Sequence, residues 1–179
     1  AVIVDRPRHA ELISRVRRMG VRIRMIPDGD VSGAIMTSWP RTGVDVLLGI
    51  GGTPEGVLAA CALQCLGGCI MGKMYPRDEN DLKKAAEYGY DYNKVYTQDD
   101  LIHSDDTFFA ATGLTNGDLL EGLDYSSDGA QTHSLVMRGL TGTVREITAY
   151  HRISKLDRIS AISYSGGEAL SEAEIHNID

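Results

Sequence analysis

Residues 49–55, GIGGTPE, combine a glycine-rich loop with a carboxylate at the start of a predicted helix. Thr53 is the expected N-cap and Pro54 the first helical residue, so loop N–H groups could converge on an anion at the positive end of the helix dipole. A carboxylate beside an anion is unfavourable unless a cation lies between them. Glu55 is therefore a candidate metal ligand next to a phosphate. The alternative is that Glu55 only stabilises the helix dipole.

Arg6 and Arg8 flank Pro7 just after the first apolar run of the chain. Proline holds the backbone extended, so side chains two residues apart point to the same side. Two guanidinium groups on one side suit a phosphate, because each can donate two hydrogen bonds to it. The alternative is a pair of surface arginines at a helix start.

Asp28 and Asp30 flank Gly29 in a tight turn after a second apolar run. Paired carboxylates can accept hydrogen bonds from sugar hydroxyls, bind a metal ion or cap the following helix, and Asp30 is the expected N-cap. With two loops suited to phosphate, this pair favours a small phosphorylated polyol as the ligand. A dinucleotide fits less well, because Pro54 stands where the Rossmann fingerprint requires its third glycine. No Gly-Lys-Ser/Thr follows the loop, which excludes a Walker motif.

The three cysteines, Cys61, Cys65 and Cys69, lie four residues apart. This spacing matches neither a common zinc site nor an iron–sulfur cluster. They are predicted to be small buried side chains in a reducing compartment. The five histidines are scattered along the chain, and none is assigned as a ligand.

Strand-like and helix-like segments alternate along the chain, which predicts an α/β fold with a mainly parallel sheet, helices on both faces and a terminal antiparallel pair. The central strand, residues 44–50, reads as buried on both faces. Residues 69–76 are predicted as a further strand and residues 79–88 as an amphipathic helix. Ligands of such sheets bind at the carboxyl ends of the strands. That rule selects four loops: Asp5–His9, Pro27–Asp30, Gly49–Glu55 and Thr112–Asp118.

The net charge of −7 argues against a nucleic-acid partner, which would require a basic face. No apolar run reaches the roughly 20 residues that cross a membrane, and the first residues do not resemble a signal peptide. We expect a soluble cytoplasmic protein with no membrane partner. The chain opens inside an apolar strand without an initiator methionine, and we expect it to be processed or part of a longer polypeptide.

Six segments, in the same order along the chain, resemble the class II fructose-1,6-bisphosphatases. They are DRPRH at 5–9, IPDGDVSGAI at 26–35, LLGIGGTPEGVLAA at 47–60, FFAATGLTNGDLLEG at 108–122, THSLVMR at 132–138 and TGTVR at 141–145. The resemblance implies the layered α/β/α sandwich of the lithium-sensitive sugar phosphatases. It also implies Mg²⁺- or Mn²⁺-dependent removal of the 1-phosphate from fructose 1,6-bisphosphate in gluconeogenesis, by a homo-oligomer. Some members also hydrolyse sedoheptulose 1,7-bisphosphate.

The resemblance also implies roles for individual residues. Arg6, Pro7 and Arg8 match the stretch that contacts substrate, with the arginines near the retained phosphate. Residues 28–30 match the stretch that holds the sugar. Gly52 matches a backbone contact to the substrate. Glu55 matches a ligand of the catalytic metal ion.

The similarity covers residues 1–151 and looks like the carboxyl-terminal half of the family. We therefore expect residues 1–151 to form one lobe, followed by an unmatched, irregular or weakly helical tail at 152–179. The family's other metal ligands lie in an amino-terminal half that this chain does not contain. One glutamate cannot hold the ions that such chemistry needs. Two functions remain open: the substrate-binding lobe of the enzyme, or a sugar-phosphate-binding module without catalytic activity.

Overall fold

The structure is a computed structural model that describes residues 1–160. Helices alternate with strands that pair in both parallel and antiparallel sheets, which confirms the expected α/β class. The chain divides into two compact units. The first comprises Ala1–Phe109 and Met137–Val144, and the second comprises Ala110–Val136 and the described residues from Arg145 onward.

The first unit is built on a short parallel pair of apolar strands. Strand β1 (Val2–Val4) is fully buried and pairs with β2 (Arg24–Ile26) in parallel. Helix α1 (Ala10–Arg18) shares a core cluster with Ile3. Successive side chains of a strand point to opposite faces, and Val2 and Val4 pack in a separate cluster that includes Met36 of the next helix. Helices therefore cover both faces of the pair, as the alternating pattern predicts.

Residues 44–50 do not form the regular buried strand predicted for them. In the described residues they make one parallel bridge, between Leu47 and Val2. The Val2 N–H donates to the Val46 carbonyl at 2.8 Å, and the Leu48 N–H donates to the Val2 carbonyl at 3.1 Å. The prediction of burial on both faces is wrong, since Val46 is 40% exposed. Because β1 has only three residues and the glycine loop follows at once, the ladder does not continue.

Two helices begin at glycines rather than at the predicted polar residues. Helix α2 (Asp30–Met36) has Gly29 as its N-cap, with φ of 95°, so Asp30 is the first helical residue. Helix α3 (Thr53–Leu66) has Gly52 as its N-cap, so Thr53 is the first helical residue. In each case the glycine carbonyl accepts the first helical hydrogen bond, at 2.9 Å in α2 and 3.0 Å in α3. The predicted caps at Asp30 and Thr53 are each wrong by one residue.

The next part of the first unit contains two short strands and two helices. Strand β3 (Met71–Gly72) pairs antiparallel with β4 (Tyr96–Thr97). The strand predicted at 69–76 is thus wrong in length, because this segment is largely exposed and runs into a proline, which has no N–H to pair. Helix α4 (Glu79–Tyr88) has the predicted bounds, and α5 (Gln98–Leu101) follows β4.

The rest of the described chain is mainly strand, and two of its strands have ten residues each. Its strands are β5 (Phe108–Thr112), β6 (Asp124–Tyr125), β7 (Gly129–Arg138) and β8 (Thr143–Arg152). Strand β7 pairs with β5, β6 and β8, and β6 pairs with it antiparallel. The predicted terminal hairpin is confirmed as β7 and β8, joined by a four-residue turn.

The tail begins with the short helix α6 (Ile153–Leu156). The expectation of an irregular or weakly helical tail otherwise concerns residues 161–179, which lie outside the described residues. In residues 1–160, no helix combines the length and the apolar character that crossing a membrane requires.

Candidate substrate and metal site

The first loop of the candidate site is a turn of 3₁₀ helix, Pro7–His9, directly after β1. Proline occupies its first position, where a missing N–H costs nothing. The Arg6 Nη1 donates to the Pro27 carbonyl at 2.6 Å, and Nη2 lies 3.3 Å from the Asp28 carboxylate. Arg6 therefore ties this loop to the turn after β2.

Arg8 connects the same loop to the glycine loop. Its Nε donates to the Ile50 carbonyl at 2.8 Å, and the residue is otherwise exposed. Within the described residues, its Nη groups make no hydrogen bond of their own, so they remain available to an anion. The prediction that an extended backbone at Pro7 turns both arginines to the same side is wrong, because Pro7–His9 is a turn of 3₁₀ helix and the two arginines contact two different neighbouring loops.

The turn at Asp28, Gly29 and Asp30 brings carboxylates to the edge of the site. Asp28 is held locally, accepting a hydrogen bond of 2.8 Å from the Gly29 N–H, and its side chain is 85% exposed. The carboxylate of Asp30 lies against Gly51, with Oδ2 3.1 Å from the point that a Cβ on that glycine would occupy. A side chain at Gly51 would therefore have to displace Asp30.

Glu55 lies in the exposed first turn of α3. Its carboxylate folds back over Gly52, into space that a Cβ on that glycine would fill. Gly51 and Gly52 thus have acidic groups beside them, from Asp30 and Glu55 respectively. Three loops, at residues 5–9, 27–30 and 49–55, contact one another in the first unit.

The donor atoms of this region are carboxylate oxygens, which suit hard divalent cations such as Mg²⁺. In the part of the chain that the structure describes, however, no group of three or more His, Cys, Asp or Glu side chains is placed to hold a metal ion. The carboxylate oxygens of Glu55 are therefore suitable ligands for a divalent ion, but they supply only part of its coordination.

His9 is the residue of this region that sequence reasoning missed. It is fully buried, and both ring nitrogens contact backbone groups, from Val4 and from Ile50. The available signal was helical spacing: His9 lies four residues before Ile13 and seven before Val16, on the apolar side of α1. That spacing marks a buried histidine rather than a surface one.

The fourth loop selected by the strand-end rule, Thr112–Asp118, belongs to the second unit. It borders a cavity whose lining includes Glu121 and His133. The His133 Nε2 lies 3.0 Å from the Glu121 carboxylate and 2.6 Å from the Gln131 amide nitrogen. The His133 side chain therefore contacts both Glu121 and Gln131, and no pattern in the sequence predicts that Glu121 and His133 lie close together.

The cysteines occupy three different environments. Cys65 is buried, Cys61 is half-buried and Cys69 is exposed, so the prediction of burial is wrong for Cys69. The glycines at 67 and 68 end α3 before Cys69 can join the buried row. Burial raises the pKa of the Cys61 thiol, and the neighbouring Cys65 adds to this effect.

Comparisons with known proteins show which family this α/β chain resembles. Residues 1–151 match the family described as bacterial fructose-1,6-bisphosphatase, glpX-encoded. A class 2 fructose-1,6-bisphosphatase of Haemophilus influenzae is 36% identical over 171 residues, covering 88% of this chain and 51% of that protein. The fructose-1,6-bisphosphatase 1 class 2 of Escherichia coli K12 is 38% identical over 168 residues, covering 87% and 50%.

The chain belongs to the class II fructose-1,6-bisphosphatase family, which confirms the resemblance seen in its six segments. This is a metal-dependent family. The chain spans about half the length of the curated relatives that it matches.

Proposed function

We propose that residues 1–151 form the substrate-binding lobe of a cytoplasmic, metal-dependent fructose-1,6-bisphosphatase. In the assembled enzyme, the 1-phosphate of fructose 1,6-bisphosphate is hydrolysed to give fructose 6-phosphate and phosphate. The observation that carries the proposal is the meeting of three loops within a chain of this family: Arg6 contacts the turn after β2, and Arg8 contacts the glycine loop.

Substrate binding is assigned to the arginine loop and its neighbours. Arg6, Pro7 and Arg8 contact the substrate, with the guanidinium groups at the phosphate that is not cleaved. The hydrogen bond from Arg8 Nε to Ile50 supports this role, because it fixes the guanidinium group while leaving the Nη donors for bidentate binding. Rigid placement of a bidentate donor lowers the entropy lost when the ligand binds.

The sugar is assigned to the turn at residues 28–30, with Gly52 adding a backbone contact. Carboxylates accept hydrogen bonds from hydroxyl groups, and the exposed position of Asp28 supports this role. Gly52 caps α3, where backbone N–H groups face outward and the helix dipole favours negative charge.

Glu55 is assigned as one ligand of a Mg²⁺ or Mn²⁺ ion. A bound divalent ion polarises the phosphate ester and activates water. Glu55 supplies a carboxylate at the start of α3, next to the N–H groups that would face a phosphate. The remaining ligands are assigned to the amino-terminal half found in the longer relatives, so this chain acts with that half as its partner.

A second candidate is a sugar-phosphate-binding module without catalysis. It is favoured by one observation, that no three metal-binding side chains gather in residues 1–160. Phosphate release from fructose 1,6-bisphosphate by the native protein, with Mg²⁺ or Mn²⁺ present, separates the two. We expect release, together with an intact mass about twice that of this chain, in line with its half coverage of its relatives. Binding without release, by a native polypeptide of this length, would establish the module.

A further inference from the structure

His9 is a fully buried polar side chain at the junction of β1, α1 and the glycine loop. Its Nδ1 lies 2.7 Å from the Val4 carbonyl at the end of β1. The Ile50 N–H donates to its Nε2 at 2.8 Å. Because a carbonyl can only accept, Nδ1 carries the ring proton. Nε2 is then the acceptor for Ile50, so its 3.2 Å approach to the Ile50 carbonyl is a contact and not a second hydrogen bond.

Both polar backbone atoms of Ile50 are consequently held in place. His9 accepts from its N–H, and Arg8 donates to its carbonyl. The preceding residue is packed just as closely, since a Cβ on Gly49 would lie 3.2 Å from the His9 ring carbon Cε1. The first apolar strand and the glycine loop are therefore joined through one imidazole.

We propose that His9 is a positioning residue for the anion-binding loop. By accepting from the Ile50 N–H it fixes the backbone of Ile50, which positions the N–H groups of Gly51 and Gly52 at the start of α3 and the Ile50 carbonyl on which Arg8 is oriented. This inference rests on the proposed function, in that the loop binds the phosphorylated sugar. Burying a polar ring costs free energy unless its nitrogens are bonded, and both nitrogens of His9 are bonded to backbone groups of the two segments that it joins.

Two substitutions separate the two hydrogen bonds. In His9→Asn, the amide nitrogen can still donate to Val4, but the side chain is too short to reach Ile50. In His9→Gln, the amide oxygen reaches the position of Nε2 and can accept from Ile50, whereas the bond to Val4 is lost. The two variants therefore carry the same polar amide group, and each retains the hydrogen bond that the other loses.

Hydrogen exchange at the amides of residues 50–52 is the first measurement, on the assembled protein. We expect exchange to speed up at least roughly ten-fold in His9→Asn and to stay within about three-fold in His9→Gln, the change expected when a buried N–H loses its acceptor. Gly49→Ala, which pushes on the ring, should behave like His9→Asn. Equal exchange in the Asn and Gln variants would overturn the proposal.

Steady-state kinetics on fructose 1,6-bisphosphate are the second measurement. The KM of His9→Asn should rise roughly ten-fold with a smaller change in kcat, and His9→Gln should restore the KM. A purely structural histidine would lower the melting temperature in both variants without separating their KM values, which would also overturn the proposal. If the unmodified protein releases no phosphate, the proposed function fails, whereas the exchange experiment still decides the role of His9.

Discussion

At the scale of single residues, the two arginines of the first loop differ in what they hold. Arg6 donates to the Pro27 carbonyl and pairs with Asp28, whereas Arg8, within residues 1–160, is anchored only through Nε, on Ile50. The sequence predicts that both face one side, but it cannot show which carbonyl each one meets. These contacts are set by loops more than twenty residues away along the chain.

Replacing Arg8 with lysine tests whether substrate binding needs the planar guanidinium group with its two parallel donors. Lysine keeps the charge but has neither an Nε at the guanidinium position nor two parallel donors. Arg8→Lys should weaken binding of fructose 1,6-bisphosphate by about 1–3 kcal/mol, the scale of a charge-assisted hydrogen bond. Calorimetry on the assembled protein measures the loss, with Arg15→Lys, on the outer side of α1, as the control. Affinity equal to that of the control would remove Arg8 from the site.

Asp100 allows a second test at the scale of single residues, because its ionisation makes the stability of the fold depend on pH. The hydrogen bond from the Lys94 ammonium, with two more from the Thr97 N–H and hydroxyl, lowers the pKa of Asp100 to about 2. The folded-state pKa thus lies below the value of about 3.9 for an unfolded chain. Asp100 therefore contributes stability above about pH 4, and this contribution is lost as the pH falls towards 2.

Urea unfolding between pH 5 and pH 3 measures this loss. The free energy of unfolding should fall less steeply with acidification in Asp100→Asn than in the unmodified protein. Asp99→Asn, one residue away and outside the capping contacts of Thr97, should leave the slope unchanged. Identical slopes in all three proteins would contradict the assignment.

At the scale of elements, local signals specify helices better than strands. Helix α4 has the predicted bounds because Asp78, at its N-cap, and Gly89, at its C-cap with φ of 73°, lie within its own sequence. Thr97 likewise caps α5, through a capping box with Asp100. The strand at 44–50 was mispredicted, because its length depends on how many residues β1 offers as partners.

The cap of α4 is open to direct test. The Asp78 carboxylate accepts from the Asn80 and Asp81 N–H groups, each at 2.9 Å. Asp78→Ala should lower the free energy of unfolding by about 1 kcal/mol, whereas Asp78→Asn, an equally good cap, should leave it nearly unchanged. Urea denaturation makes the comparison. A loss of the same size in both variants would show that the carboxylate acts by charge and not by capping.

At the scale of the whole molecule, the chain consists of two compact units and spans about half the length of its curated relatives. The candidate site residues were visible in the sequence because the arginine, acidic and glycine loops each follow an apolar run. Their mutual contacts, and the burial of His9 between them, depend on the assembled first unit and could not be read from local pattern. The partition of the fourth loop into the second unit was equally invisible.

Substitution of Glu55 is the most direct test of the proposed function. A metal ligand and a residue that only stabilises the helix dipole respond differently to loss of the charge. Glu55→Gln keeps the shape of the side chain and removes its charge. Glu79→Gln is the matched control, since Glu79 is also an acidic residue in the first turn of a helix, α4. Either change should alter the free energy of unfolding by no more than about 1 kcal/mol.

The decisive measurement is turnover of fructose 1,6-bisphosphate by the assembled enzyme across a titration of Mg²⁺ and Mn²⁺. We expect Glu55→Gln to lower turnover by orders of magnitude and to require more metal, and Glu79→Gln to behave as the unmodified enzyme. Near-normal turnover of Glu55→Gln at ordinary metal concentrations would show that Glu55 only stabilises the helix start, and that the metal ion is held elsewhere.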